Sequence, residues 1–176
     1  MTARKPSSEP LTIALTPGDP AGIGPEIVLR AASDPALARV CELIILGNRR
    51  ILERAARTLN GPPARGVRDR LTGLHVQEAG RSGGRKFEWG DLSAAAGRFS
   101  YECVEAGVRL VRSGRADALV TAPISKRAWE LAGGVDRSPL LPCRREEAVT
   151  EFLTFPSPTV TWHAILTAME TLLGRA

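Results

Sequence analysis

Two short stretches of this 176-residue chain combine residue types that could meet a small ligand. The first is Thr16-Pro17-Gly18-Asp19-Pro20-Ala21-Gly22-Ile23-Gly24-Pro25-Glu26, and the second is Thr121-Ala122-Pro123-Ile124-Ser125-Lys126. Gly18, Gly22 and Gly24 allow backbone angles and close approaches that a side chain would forbid. Pro25 suits the first turn of a helix, where its missing N–H costs nothing. A helix that starts there exposes unpaired N–H groups and attracts anions, phosphate first among them. Asp19 and Glu26 complicate that chemistry, because two carboxylates would repel a bare phosphate and suit a hydroxyl, an amide or a cation accompanying the substrate. Lys126 adds an ammonium that can hold a phosphate or share a proton with a hydroxyl, and Thr121 stands at the head of the same turn. The glycine spacing matches neither the dinucleotide fingerprint nor a P-loop. On residue types alone, a tight strand-to-helix turn with no ligand therefore stands beside the ligand-loop reading. Lys126 can equally be a solvent-exposed first-turn lysine behind Ser125 as N-cap.

The elements that must position these residues are legible as alternating strands and helices. Leu11, Ile13 and Leu15 predict a strand that the prolines at 17 and 20 stop, and a helix then runs on through Arg30. Asp34-Pro35 starts a short helical piece through Val40, and Leu43 to Leu46 is a second strand. Asn48 caps a helix carrying Ile51, Leu52, Ala55, Ala56 and Leu59, which Asn60-Gly61-Pro62-Pro63 ends. An arginine-rich connection follows, with a strand over Leu74 to Gln77 and a long loop from Glu78 to Asp91 that holds Gly83-Gly84 and is anchored by Phe87 and Trp89. Ser93 caps the longest helix, whose Phe99, Cys103, Ala106 and Leu110 share one face before Gly114 stops it. Ala118 to Val120 is the next strand, with a helical segment through Ala132. This alternation predicts a parallel sheet covered on both faces. All strands of such a sheet end on one edge, so the two turns should lie on one rim, where open α/β sheets bind ligands.

Composition narrows the function classes. With 43% hydrophobic residues the chain can bury a real core, and its length fits one domain or one and a half. The formal charge of +5 is carried by scattered arginines, with lysine only at Lys5, Lys86 and Lys126, and aromatic residues make up 5%. No basic run with interleaved aromatics appears, which argues against nucleic acid and leaves modest attraction for phosphorylated small molecules. Cys41, Cys103 and Cys143 are odd in number and widely spaced, which fits reduced thiols and not a disulfide framework, no CxxC pair suggests zinc, and Cys103 falls on the core face of its helix. No signal-peptide or membrane-spanning pattern is present, so a cytoplasmic protein is expected.

The blocks LTIALTPGDPAGIGPEIVLRA, LIILGN and GDLSAAAGRFSYECVEAGVRLVRSGRADALVTAPISKRAWELAG, in that order, resemble the 4-hydroxythreonine-4-phosphate dehydrogenases of pyridoxal phosphate synthesis, the PdxA family, and their relatives acting on four-carbon sugar-acid phosphates. The resemblance spans residues 11 to about 133 and covers the N-terminal half of the family. It implies an α/β, isopropylmalate-dehydrogenase-like fold, a parallel or mixed sheet with flanking helices, here truncated. It also implies a homodimer, an NAD cofactor and a divalent metal (Zn, Mg or Co). The implied reaction oxidises the secondary alcohol of a phosphorylated hydroxy acid, after which the keto acid loses carbon dioxide.

The pattern breaks after Ala132-Gly133. The family continues to a Gly-His-Thr-Glu segment whose histidine and threonine contact substrate, whereas this chain reads Gly134-Val135-Asp136-Arg137-Ser138-Pro139. Thr150-Glu151-Phe152-Leu153 echoes its second half, later than expected. The three metal-binding histidines implied by the family have no counterpart set, since only His75 and His163 occur. His75 reads as structural or surface. His163, in Val160-Thr161-Trp162-His163, faintly echoes the stretch that supplies the family's first metal ligand, but one histidine cannot make the site. Three regions are expected: a disordered tail over 1–10, a PdxA-like α/β portion over 11–133, and a divergent or foreign tail over 134–176. The functional expectation is NAD-dependent oxidation with decarboxylation of 4-hydroxythreonine 4-phosphate or a related compound. The alternative is a catalytically inactive fragment or small-molecule binding remnant.

Overall fold

The structure, a computed structural model, describes residues 10–59, 67, 71–81 and 86–133. The expectations for residues 1–9, Gly83-Gly84, Cys143, His163 and the tail from 134 lie outside them.

Among the described residues four strands form one sheet: β1 (Leu11–Thr16), β2 (Cys41–Gly47), β3 (Val76–Glu78) and β4 (Ala118–Thr121). Their order is β3-β2-β1-β4, and every pairing is parallel. The central strand β1 sets Leu11 opposite Cys41 and Thr16 opposite Thr121. A strand flanked on both sides must be apolar on both faces. Ile13 and Leu15 enter one cluster with Ile27, Val28, Leu52 and Ala55, while Ala14 enters another with Leu46, Val104 and Leu119. Full burial of a side chain such as Leu15 stabilises the fold by about 1.5–3 kcal/mol.

The first face is covered by α1 (Gly24–Ala32), the short α2 (Pro35–Ala38) and α3 (Arg49–Thr58). Asp34 caps α2 by accepting from the Ala36 N–H at 2.7 Å, and Asn48 caps α3 by accepting from the Arg50 N–H at 3.0 Å. The opposite face carries α4 (Ala94–Arg112) and α5 (Lys126–Leu131). Ser93 caps α4 through the Ala96 N–H, and Gly114 (φ 70°) follows its end. These two helices cross so closely that a Cβ on Gly97 would be driven into the Ala128 carbonyl.

Two expectations shift. The third strand lies at Val76–Glu78 instead of Leu74–Gln77, because Leu71–Gly73 coils into a 3-10 turn. The Arg49 guanidinium donates to the Leu71 and Leu74 carbonyls (2.9 and 3.2 Å), committing both away from the sheet. In the long loop Phe87 is the buried anchor, 5.7 Å from the Phe99 ring between centroids. Trp89 remains 40% exposed and is held instead by the Arg54 guanidinium, 4.0 Å from its ring centroid.

Candidate functional site

The strand order places the two turns at a topological switch point. The chain leaving β1 enters α1 on one face of the sheet, and the chain leaving adjacent β4 enters α5, which packs on α4 across the other face. Diverging connections at adjacent parallel strands open a crevice beyond their C-terminal ends, the usual ligand position in open α/β sheets.

Close backbone packing locks the turns together. The Asp19 N–H donates to the Pro123 carbonyl at 3.0 Å, and the Ala122 N–H donates to Thr16 at 2.9 Å. Gly18 lies in the left-handed region (φ 65°), and a Cβ there would sit 2.6 Å from the Ala122 carbonyl oxygen and still closer to that of Pro123. Gly24 abuts the Pro17 carbonyl just as tightly. Both glycines are thus required by the protein's own packing. Gly22 differs, since a Cβ there would meet nothing nearer than 3.6 Å, so it is the glycine at which a ligand can approach. Helix α1 begins behind it with Ile23 as N-cap and no side-chain cap; Pro25 has no N–H and the Glu26 and Ile27 N–H groups donate to the Ile23 carbonyl (3.1 and 3.2 Å), so of its first turn the Gly24 N–H is the donor left to an anion.

Asp19 is half-buried and accepts from the Ala21 N–H at 2.9 Å. Burial pushes its carboxyl above the ordinary carboxylate value, the Ala21 hydrogen bond lowers it, and the nearby Asp91 carboxylate raises it further. Asp91 arrives because the Gly90 N–H donates to the Ala21 carbonyl at 2.8 Å, stitching the long loop to the glycine turn. Sequence reasoning passed over Asp91, and nothing local in Gly90-Asp91-Leu92 signals that contact.

The other candidates divide. Thr121 is half-buried opposite Thr16, and its hydroxyl lies 2.9 Å from the Ala122 carbonyl. The Thr16 side chain is fully buried at the same strand end, with no hydrogen-bond partner for its hydroxyl. Lys126 is exposed in the first turn of α5, on the same rim, behind Ser125, which caps the helix through the Ala128 N–H at 3.2 Å. Glu26 does not converge with Asp19. Its carboxylate lies 3.3 Å from the Thr58 hydroxyl at the end of α3, tying two helices of one layer.

Cys41 and Cys103 are buried free thiols, and burial pushes both thiols upward. Among the described residues no three His, Cys, Asp or Glu side chains come together as metal ligands, so these residues do not fit the divalent metal that the resemblance implies. His75 is exposed.

Known proteins resemble this chain in sequence and in fold. The family model described as "Pyridoxal phosphate biosynthetic protein PdxA" matches residues 39–137. A 4-hydroxythreonine-4-phosphate dehydrogenase of Synechocystis sp. is 38% identical over 122 residues, covering 69% of this chain and 35% of the relative. A protein of Bradyrhizobium diazoefficiens named putative D-threonate 4-phosphate dehydrogenase is 38% identical over 128 residues, covering 69% of this chain and 37% of the relative. The crystal structure of the 4-hydroxythreonine-4-phosphate dehydrogenase from Klebsiella pneumoniae superposes with a TM-score of 0.58 at 26% identity, over 74% of this chain and 41% of that one. The chain thus spans little more than a third of the length of the curated relatives it matches. Ordered sequence blocks, a parallel sheet and a family match over most of the described α/β region converge, and the chain belongs to the PdxA family.

Proposed function

We propose that this chain builds the glycine-turn wall of an NAD-dependent dehydrogenase that oxidises, with decarboxylation, 4-hydroxythreonine 4-phosphate or a related phosphorylated hydroxy acid. The observation that carries the reading is the pair of interlocked turns at the β1/β4 switch point. The names of the relatives supply the reaction class, and two of those names differ in substrate.

Each residue has a role consistent with its setting. Gly22 and the uncapped start of α1 receive an anionic group of substrate or cofactor. Lys126 holds the substrate phosphate or shares a proton with its hydroxyl. Asp19, held by the Ala21 N–H, accepts from a ligand hydroxyl or amide. When bound, NAD would accept the hydride. The working protein on this reading is a cytoplasmic homodimer, with residues 11–133 as its PdxA-like portion and the tail from 134 as a separate region.

A second reading, a catalytically inactive remnant that keeps the rim and binds small molecules, is favoured by the lack of a metal-ligand cluster among the described residues. NADH formation from 4-hydroxythreonine 4-phosphate, NAD and added divalent metal separates the two. Turnover that Lys126→Ala abolishes supports the dehydrogenase, and absence of turnover at high protein concentration refutes it for this chain.

A further inference from the structure

A second concave site lies at the edge of the sheet, and none of its lining residues belongs to either turn. Helix α4 packs across β1, β2 and β4, and beside the edge strand β3 it leaves a cleft of about 610 Å³, a volume suited to a small organic molecule. Ala79, Ala106 and Leu110 give the cleft an apolar stretch. Its charges separate toward two ends. At one end Glu78 accepts from the Asn48 side chain (3.1 Å) and the Arg49 N–H (3.2 Å), and Glu102 accepts from the Arg81 N–H (2.6 Å). Those donors are neutral groups, so they hold the two carboxylates without cancelling their charge. Both carboxylates also push the buried Cys103 thiol upward, which sets them beside the same part of α4. The Arg81 guanidinium, exposed at that end, offsets one of the two. Further along α4, Arg109 and Glu105 cancel each other as an ion pair (3.2 Å). At the far end the exposed Arg115 guanidinium has no acceptor among the described residues. The Arg115 N–H donates to the Leu110 carbonyl (3.0 Å), eight residues beyond Glu102, so the two ends stand about 12 Å apart along the helix. Arg112 in the last turn counters the partial negative charge of the α4 C-terminus there.

We infer that this cleft binds a small amphoteric molecule in extended form, its ammonium toward Glu78 and Glu102, its aliphatic spacer along Ala79, Ala106 and Leu110, and its carboxylate or phosphate on Arg115. The lining residues carry three positive and three negative charges. A ligand of a single sign therefore gains at one end what it loses at the other, whereas a molecule with one charge of each sign gains at both. An ammonium has three donors and no acceptor, which suits a pair of carboxylates, and a guanidinium meets a carboxylate or phosphate through two parallel donors. Each exposed contact is weak alone, so affinity requires a spacer long enough to join them. The site is separate from the two turns and does not depend on the reaction proposed for them.

The experiment titrates the nitrogen-15-labelled full chain at low salt with probes of matched length, 8-aminooctanoate, suberate and 1,8-diaminooctane, and with the shorter 4-aminobutanoate, following amide shifts by NMR. 8-Aminooctanoate should move the Gly80 and Ala106 amides saturably and bind about fivefold or more tightly than each of the other three. Glu102→Gln keeps an acceptor for the Arg81 N–H but loses the charge, and it should shift the preference toward suberate. Arg115→Gln should shift it toward 1,8-diaminooctane. Arg127→Gln removes the same charge from an exposed helix position outside the cleft and should change none of these affinities by more than about twofold. Suberate or 1,8-diaminooctane binding as tightly as 8-aminooctanoate overturns the proposal, as does the absence of saturable shifts with any probe. Equal weakening by Arg127→Gln and Arg115→Gln also overturns it, since that result reports diffuse surface charge. Loss of binding in Lys126→Gln with none in Arg115→Gln would place the ligand at the turns and overturn it as well.

Discussion

Replacing Gly18 by alanine should be among the most damaging small changes available to this chain. The residue has φ 65°, and a left-handed conformation costs an ordinary L-residue roughly 1–2 kcal/mol. The added Cβ would also fall 2.6 Å from the Ala122 carbonyl oxygen and nearer still to that of Pro123. Both are backbone atoms, so neither can rotate away, and overpacking of this kind costs about 1–3 kcal/mol. Relief requires the turns to separate, which breaks the hydrogen bond from the Asp19 N–H to Pro123 and costs about 1 kcal/mol more. The sum is about 3–6 kcal/mol. Gly114→Ala is the control, because Gly114 has φ 70° with nothing within 4 Å of a built Cβ, leaving only the conformational cost of roughly 1–2 kcal/mol. Urea unfolding followed by far-ultraviolet circular dichroism reads the difference. With a slope of about 2 kcal/mol per molar, the midpoint of Gly18→Ala should lie about 1 to 2 M below that of Gly114→Ala. Equal midpoints would show that the two turns are not locked together and would remove the observation on which the site is built.

The remaining predictions concern charge, thiols and packing. Asp19 titrates above its ordinary value of 3.8 in the folded chain, so its contribution to stability is fully present below that value and is lost as pH rises through the folded one. Asp19→Asn should therefore gain stability relative to wild type between about pH 3 and pH 7, and paired urea midpoints showing a relative loss would contradict the assignment of burial as the main cause. In a Cys41→Ala/Cys143→Ala background, Cys103 should react with a thiol reagent at least an order of magnitude faster in urea than in the native state, since the thiolate is the reactive form and burial opposes it. Ser93→Ala removes the N-cap of α4 and should cost about 1 kcal/mol in the same unfolding assay. Gly97→Ala should cost more than that cap, because its Cβ has only the Ala128 backbone to enter, and a smaller loss than that of Ser93→Ala would mean that the α4/α5 contact yields easily.

Much of the architecture was readable along the chain because its signals are local. Asn48, Ser93 and Ser125 each precede a helix and each accepts from a first-turn N–H, as residues of their type do. Leu11 to Leu15 and Ala118 to Val120 are short apolar runs between turn residues, and both are strands. The face of α4 carrying Phe99, Cys103 and Leu110 is buried at the spacing that a 3.6-residue period dictates. Phe87 and Trp89 show the limit of such reading. Both are large aromatics in the same loop, yet one is buried beside Phe99 and the other lies open over Arg54. Nothing within the loop distinguishes them, since the difference lies in what α3 and α4 present to each.

The opening turn divides in the same way. Its residue types alone determined that a strand must stop at Pro17, that the backbone must bend at the glycines, and that a helix must begin near Pro25, because proline and glycine restrict or free the chain wherever they stand. Its family was likewise legible, since ordered blocks of sequence carry ancestry without coordinates. Only the tertiary structure decided that Gly18 and Gly24 serve the packing of one turn on another while Gly22 stays open. It alone turned Glu26 toward Thr58 and brought Asp91 to Asp19. Those outcomes depend on which strands are neighbours and on which face each helix lies, and such pairings are set by the burial of the whole core and not by the residues of the turn.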